Sequence, residues 1–241
     1  MRKAICVLSL AFTLASVGRA DPSTEDYSRL LAKYVTPHGV RYAAWHADAA
    51  DRAALEKVVS AMAAQKPMGS RDEKLAFYIN AYNANILQGV LEKYPLKSVR
   101  DIAPLFGFFT QNRITVAGEK MSFNHLEKDI IHGFGEPRMH FVLNCASASC
   151  PPLLAKAYTA GQLDEEMDQQ TTAFLNRNPM GARITDAGQK AEVSKIFEWD
   201  AGDFQAAGGV AGFINKYRKP PLPAGAQITY QNYDWSLNAA D

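Results

Sequence analysis

Cysteine is scarce in this 241-residue chain: there are three, Cys6, Cys145 and Cys150. So few sulfurs exclude a fold built on a disulfide framework, and stability must rest mainly on apolar burial. Long hydrophobic runs are scarcer still. The one clear run, Ala4 to Val17, follows Arg2-Lys3 and precedes Gly18-Arg19-Ala20. It is too short and wrongly flanked for a membrane span, and it reads as a leader cleaved after Ala20. Cys6 lies too early for a lipid-attachment motif. The expected organisation is a cleaved signal peptide over residues 1–20 and a single exported domain over 21–241, delivered to the periplasm. No second stretch is long enough to cross a bilayer, so the mature chain is expected to have no transmembrane segment.

A charge surplus is also missing. The chain has 26 basic and 25 acidic residues; the leader carries Arg2, Lys3 and Arg19 and no acid, leaving 23 against 25. There is no basic run to attract a polyanion, so nucleic acid is excluded as a partner. Internal repeats and low-complexity tracts are absent too, which excludes a solenoid.

What is present is enough apolar material for a core: 47% of the residues are hydrophobic and 10% of the chain is aromatic. Ser23 to Tyr34 reads as an amphipathic helix, and Thr36-Pro37-His38-Gly39 as a hairpin turn. Asp48 to Gln65 is a second helix. His38 and His46 are expected on turn or loop, facing solvent. The strongest helix runs from Asp72 to Tyr94, announced by the capping box Ser70-x-x-Glu73 and stopped by Pro95. At about 100 degrees per residue it is apolar over most of its circumference, which marks it as buried. Only a narrow sector is polar, carrying Lys74, Asn85, Gln88 and Glu92. Asn80 and Asn83 fall inside the apolar arc. Such amides need specific partners, either as braces of a loop backbone or as the lining of a polar pocket.

Beyond Pro95, Val99 to Phe106 reads as a short helix and Phe106 to Phe109 as core or pocket wall. Arg113–Val116 and Glu119–Ser122 form a second hairpin, and Ser122 or Asn124 caps a helix to His132. Met139 to Cys145 is expected as a strand, Leu163 to Leu175 as a helix, Glu192–Phe197 and Gln227–Tyr233 as strands. Gly208-Gly209 opens a last helix to Tyr217. Hairpins mixed with helices, without regular alternation, indicate an α+β fold: several helices on a small mixed or antiparallel sheet.

The richest stretch is His140 to Pro152, HFVLNCASASCPP. Strand alternation would put His140, Val142 and Asn144 on one face and Cys145 on the other. Cys150, ahead of Pro151-Pro152, is placed to begin a helix or turn, where a thiol is activated. Three chemistries are open to this run. Cys145 and Cys150 can form a disulfide, as an oxidising compartment favours. Cys150 can act as a nucleophile with His140 as base, oriented by Asn83 or Asn144 and with Glu127 able to hold a histidine. A metal bound by Cys145, Cys150 and His140 is the weakest, because Cys-x4-Cys is wide for zinc and no compact second pair follows. No metal or other cofactor is therefore expected. Asp164, Glu165 and Glu166 read as a solvated helix face, and Asp200 and Asp203 as caps.

FYINAYNANIL from Phe77, IHGFGEPRMHFVLNCASASCPPL from Ile131 and YDWSLN from Tyr233 resemble the domain of unknown function numbered five-four-seven. YVTPHGVRYAAW from Tyr34 is similar to that family's N-terminal hairpin, so the resemblance runs from about Tyr34 to Asn238. It implies that the Asn80/Asn83 helix and the His140–Pro152 run meet in space. Many members have Glu-His where this chain has Glu127-Lys128. The family brings no established reaction. Two functions stay open: a thiol-dependent hydrolase or acyltransferase using Cys150 and His140, with Glu127 in support and Asn80, Asn83 and Asn144 toward substrate; or a noncatalytic envelope binding or structural module with a Cys145–Cys150 disulfide. Either would take a small-molecule or peptide ligand.

Overall fold

The computed structural model describes residues 22–177 and 181–240. The expected leader lies outside the described residues. The N-terminal part is helical: α1 (Pro22–Tyr34), a hairpin of β1 (Val35–Thr36) and β2 (Gly39–Val40), α2 (Tyr42–Ala47), α3 (Ala49–Ala64) and α4 (Arg71–Lys93). α3 starts where the Asp48 side chain accepts the Asp51 N–H. α4 starts on the expected capping box, with Ser70 accepting from Glu73 N and Glu73 accepting from Ser70 N. Leu75, Ile79, Tyr82, Ile86, Leu87 and Val90 of α4 are all buried; α3 and the Leu126–Ile131 turn pack on this helix, and α1 packs on α3.

Val99 to Phe106 is not one helix. It breaks into two short 3-10 turns, Val99–Asp101 and Pro104–Phe106, and Leu105 and Phe106 both take left-handed backbone angles. α5 (Gly107–Thr110), the hairpin β3 (Ile114–Val116) and β4 (Glu119–Met121), and α6 (Phe123–His125) follow. Ser122 caps α6, which runs on through a π-helical turn, Leu126–Ile131, and a 3-10 turn, His132–Phe134. The C-terminal part holds α7 (Leu163–Arg177), β5 (Ala182–Thr185), β6 (Lys190–Val193), α8 (Ile196–Trp199), α9 (Gly209–Tyr217) and β7 (Gln227–Tyr230). β6 pairs antiparallel with β5 and parallel with β7. The fold is α+β, as expected.

Two apolar clusters carry the packing. The larger is built on α1, α3, α4 and the segments that cover α4. The smaller is a nest of phenylalanines, with Phe141 stacked on Phe213 at 5.6 Å and packed on Phe174 at 5.5 Å and Phe197 at 5.7 Å. The 139–143 segment joins them, since Met139, Val142 and Leu143 belong to the first and Phe141 to the second.

Met139 to Cys145, expected as a strand, is not one. Pro137–Phe141 is a 3-10 helix, with proline in its first turn and the Glu136 side chain accepting Arg138 N–H. Every side chain from Met139 to Leu143 is buried, so no exposed face exists to alternate with. The strand expected over Glu192–Phe197 stops at Val193, where Ser194 Oγ accepts Ile196 N–H and the chain turns into α8. The C-terminal tail stitches the molecule: Val40 N donates to Asn238 O, Leu237 N to Lys97 O, and Ala148 N to Ser236 O. Gly39 is required at this seam, because a Cβ there would lie 2.2 Å from Asn238 O. No helix among the described residues is long and apolar enough to cross a membrane.

Candidate functional site

The residues from Val142 to Cys150 are held from behind. Asn83 Nδ2 donates to Val142 O at 2.9 Å, and its Oδ1 accepts Asn144 N–H at 2.9 Å. Asn80 does the same for Tyr158, donating to its carbonyl at 2.8 Å and accepting its N–H at 2.9 Å. Asn144 donates to Pro151 O and accepts Ala146 N–H, closing a turn in which Ala146 takes a left-handed φ of 62°. The three amides expected toward substrate are thus braces, and none of them lines the cavity described below. Asn85, assigned from periodicity to the polar sector, is buried too and donates to Ala81 O of its own helix.

In front of the segment lies a cavity of about 290 Å³. Its walls are aromatic: Phe106 and Phe109 from the α5 region, Trp199 at the end of α8, and Tyr233 and Trp235 from the C-terminal tail. The rings touch in series, Trp199 to Tyr233 at 4.8 Å and Tyr233 to Trp235 at 4.7 Å. Trp199 is 50% exposed and Phe106 38%. Phe106 was expected as core or pocket wall, and wall is what it is.

Cys145 and Cys150 stand in the same wall and are joined as a disulfide, their Cα atoms 6.3 Å apart, within the usual range. Tyr233 Oη lies 3.3 Å from each sulfur, and Cys145 N–H donates to Cys150 Sγ at 2.9 Å. Burial, with Glu127 adding to it and a Ser147 hydrogen bond opposing, pushes the Tyr233 phenol up to about 12. No helix starts at Cys150; coil follows it.

Charge collects at one side of the cavity. Tyr82 Oη donates to Glu127 Oε2 at 3.0 Å, and Lys128 Nζ sits 3.3 Å from Glu127 Oε1 while pairing closely with Asp200 Oδ1. Burial pulls the Lys128 ammonium down, but Glu127 and Asp200 outweigh it and hold it above the usual lysine range. Glu127 therefore serves Tyr82 and Lys128 rather than a histidine. His140, expected to need an orienting partner, has two: its Nε2 is 2.7 Å from Asp203 Oδ2, and its Nδ1 is 3.6 Å from Asp200 Oδ2. His132 Nε2 meets the other Asp203 oxygen at 2.7 Å. The His140 hydrogen bond, with His132 assisting against burial, lowers the Asp203 carboxyl to about 2.

Asp200 thus lines the cavity and Asp203 holds His140, positions that the sequence presents only as caps. Neither side chain caps the turn that follows. The sole local signal was two acids three apart beside a tryptophan, and nothing in the chain links them to a histidine sixty residues earlier. Other expectations change as well. His46 is on α2, its Nδ1 3.1 Å from Leu91 O. Glu166 is not solvated; it is buried and paired with Lys156 at 2.6 Å.

The family model described as "Protein of unknown function, DUF547" matches residues 67–175, the family to which the sequence motifs pointed. The match takes in α4, the Glu127-Lys128 pair and the whole disulfide loop, and stops before Trp199, Asp200, Asp203 and Tyr233. No curated protein and no solved structure matches the chain.

Proposed function

We propose that this DUF547-bearing chain is an exported, noncatalytic binding domain, whose cavity takes a small ring-bearing molecule. The observation that carries this is the aromatic wall: large apolar faces at Trp199 and Phe106 stay exposed around a concavity instead of entering either core. A ring stacks on Trp199 and Tyr233, while its polar substituents reach Lys128 and Glu127 at the charged side. The bridge is a fixed piece of the wall. Export agrees with the leader and with an oxidised pair.

The thiol alternative is the weaker one on geometry. A nucleophilic cysteine needs a base with a free nitrogen within reach of its proton. Both ring nitrogens of His140 face aspartates, and the Cys150 sulfur faces Cys145.

The test is ligand-observed NMR of the oxidised protein against monosaccharides, N-acetyl sugars and small aromatic acids. Saturation transfer to at least one ring class, lost in Trp199→Ala, is expected. No transfer to any of them, or transfer that survives Trp199→Ala, would remove the binding assignment. Two free thiols without reductant, together with ester hydrolysis abolished by Cys150→Ser, would replace it with the thiol enzyme.

A further inference from the structure

We infer that His140, Asp200 and Asp203, with His132 at the open edge, form a site for one divalent transition-metal ion of the zinc class. This departs from the sequence-level expectation of no metal, and it uses none of the sulfur ligands considered there.

The donor set is the first reason. Imidazole nitrogen and carboxylate oxygen suit zinc and its neighbours. One donor atom each from His140, Asp200 and Asp203 lie within 4.8 Å of one another. Tetrahedral ligands about 2.0–2.1 Å from zinc stand roughly 3.3 Å apart, so one ion on His140 Nε2, where Asp203 stands, needs the Asp200 carboxylate to turn from Nδ1 toward it. Asp203 already bridges the two histidines, 2.7 Å from each through different oxygens. An ion would take the place of the protons shared across those contacts.

Rigidity is the second. The His140 side chain is 4% exposed and packs on the Phe204 ring at 5.7 Å. The side chains of Asp200 and Asp203 are 14% and 19% exposed, unlike freely solvated surface acids. The third is charge. Glu127 and Asp200 share one ammonium, Lys128, while Asp203 meets the imidazoles of His132 and His140, so three carboxylates stand near one lysine and a divalent ion would balance the surplus. Lys128 binds Asp200 through Oδ1, which leaves Oδ2, the oxygen turned toward His140. Its proximity will weaken the affinity relative to a closed structural zinc site, without blocking the position.

Access is open from two sides. His140 and Asp200 line the aromatic cavity, while Asp203 and His132 line a separate cleft of about 130 Å³.

The full chain, stripped with a chelator and dialysed, is titrated with Co²⁺ and then Zn²⁺ in the absence of any organic ligand. One equivalent of Co²⁺ should bind with the strong visible absorption of four-coordinate cobalt, and Zn²⁺ should displace it. Asp203→Asn and His132→Gln should each weaken binding roughly tenfold or more. His140→Gln changes a buried side chain and can unfold the protein. His132→Gln lies at a side chain 49% exposed, so it keeps the test clean once circular dichroism shows a native spectrum. His125→Gln, at the surface His125–Asp129 pair, should change nothing. Absence of stoichiometric binding, or binding indifferent to both Asp203→Asn and His132→Gln, or binding lost with His125→Gln, would overturn the site. Because no ring ligand is present, any of these leaves the cavity assignment standing.

Discussion

The two sides of the Val142–Cys150 segment are made of opposite materials. Behind it, neutral amides meet backbone groups one to one, and Asn83 is 2% exposed with both ends engaged. In front of it stand charges, sulfurs and half-exposed rings, and much of their capacity is turned toward an open cavity. Polar groups that are buried and fully matched act as structure. Exposed aromatic area and unbalanced charge beside a concavity act as a site. The back should therefore govern stability and ignore pH, while the front should respond to pH and ligands and matter less to folding.

The sharpest way to break this division is Asn83→Ala. It leaves Val142 O and Asn144 N buried without partners, and each such group costs about 1–3 kcal/mol. Chemical denaturation should show a loss of about 3 kcal/mol, with the same value at neutral and mildly acidic pH. A loss below about 1 kcal/mol would mean that water replaces the amide, and the back would no longer differ in kind from the front.

Removing the bridge in Cys145→Ser/Cys150→Ser comes next. A loop this short constrains the unfolded chain modestly, so the expected loss is about 2 kcal/mol. The loop should keep its place, because Ala148 N, Ser149 N and Asn238 N still bond across to the tail and loop backbones. Amide exchange at those three positions reports it; fast exchange there would make the sulfurs, not the amides, the true brace.

How much of this was legible in the sequence follows the same division. α4 and its capping box could be read directly, because periodicity and capping are local properties, and so could the need of Asn80 and Asn83 for partners. That they brace Val142, Asn144 and Tyr158 could not be read, since both alternatives bury an amide equally well. The 139–145 segment misled for a physical reason: a chain buried on all sides shows an apolar run whether it is strand or 3-10 helix. The front was least legible. Its charges come from Glu127, Lys128, His140, Asp200 and Asp203, and its rings from Phe106, Trp199 and Tyr233, brought together only by tertiary packing.

Tyr233→Phe carries a smaller effect, about 1 kcal/mol at neutral pH for its lost hydrogen bonds. Its value is the pH dependence. The folded phenol holds its proton to about 12, against an ordinary 10.0. The unfolded chain releases that proton first, so this residue's contribution is intact below pH 10 and is lost as pH rises from 10 toward about 12. Urea midpoints across that window should fall more steeply for the native chain than for Tyr233→Phe. Parallel curves would show that the phenol is already solvated, and the front wall would be looser than its contacts suggest.

Trp199→Ala should have the least effect on folding and the most on the cavity. The side chain is half exposed and rests on Tyr233 at 4.8 Å and Trp235 at 6.1 Å, belonging to neither apolar cluster. Its removal should change stability by less than about 0.5 kcal/mol, as for surface positions generally, while opening the stacking face that a ring needs. A loss above about 2 kcal/mol would show that the aromatic wall is a third piece of core. The contrast between a structural back and a receptive front would then fail at its front half, whatever the amides do.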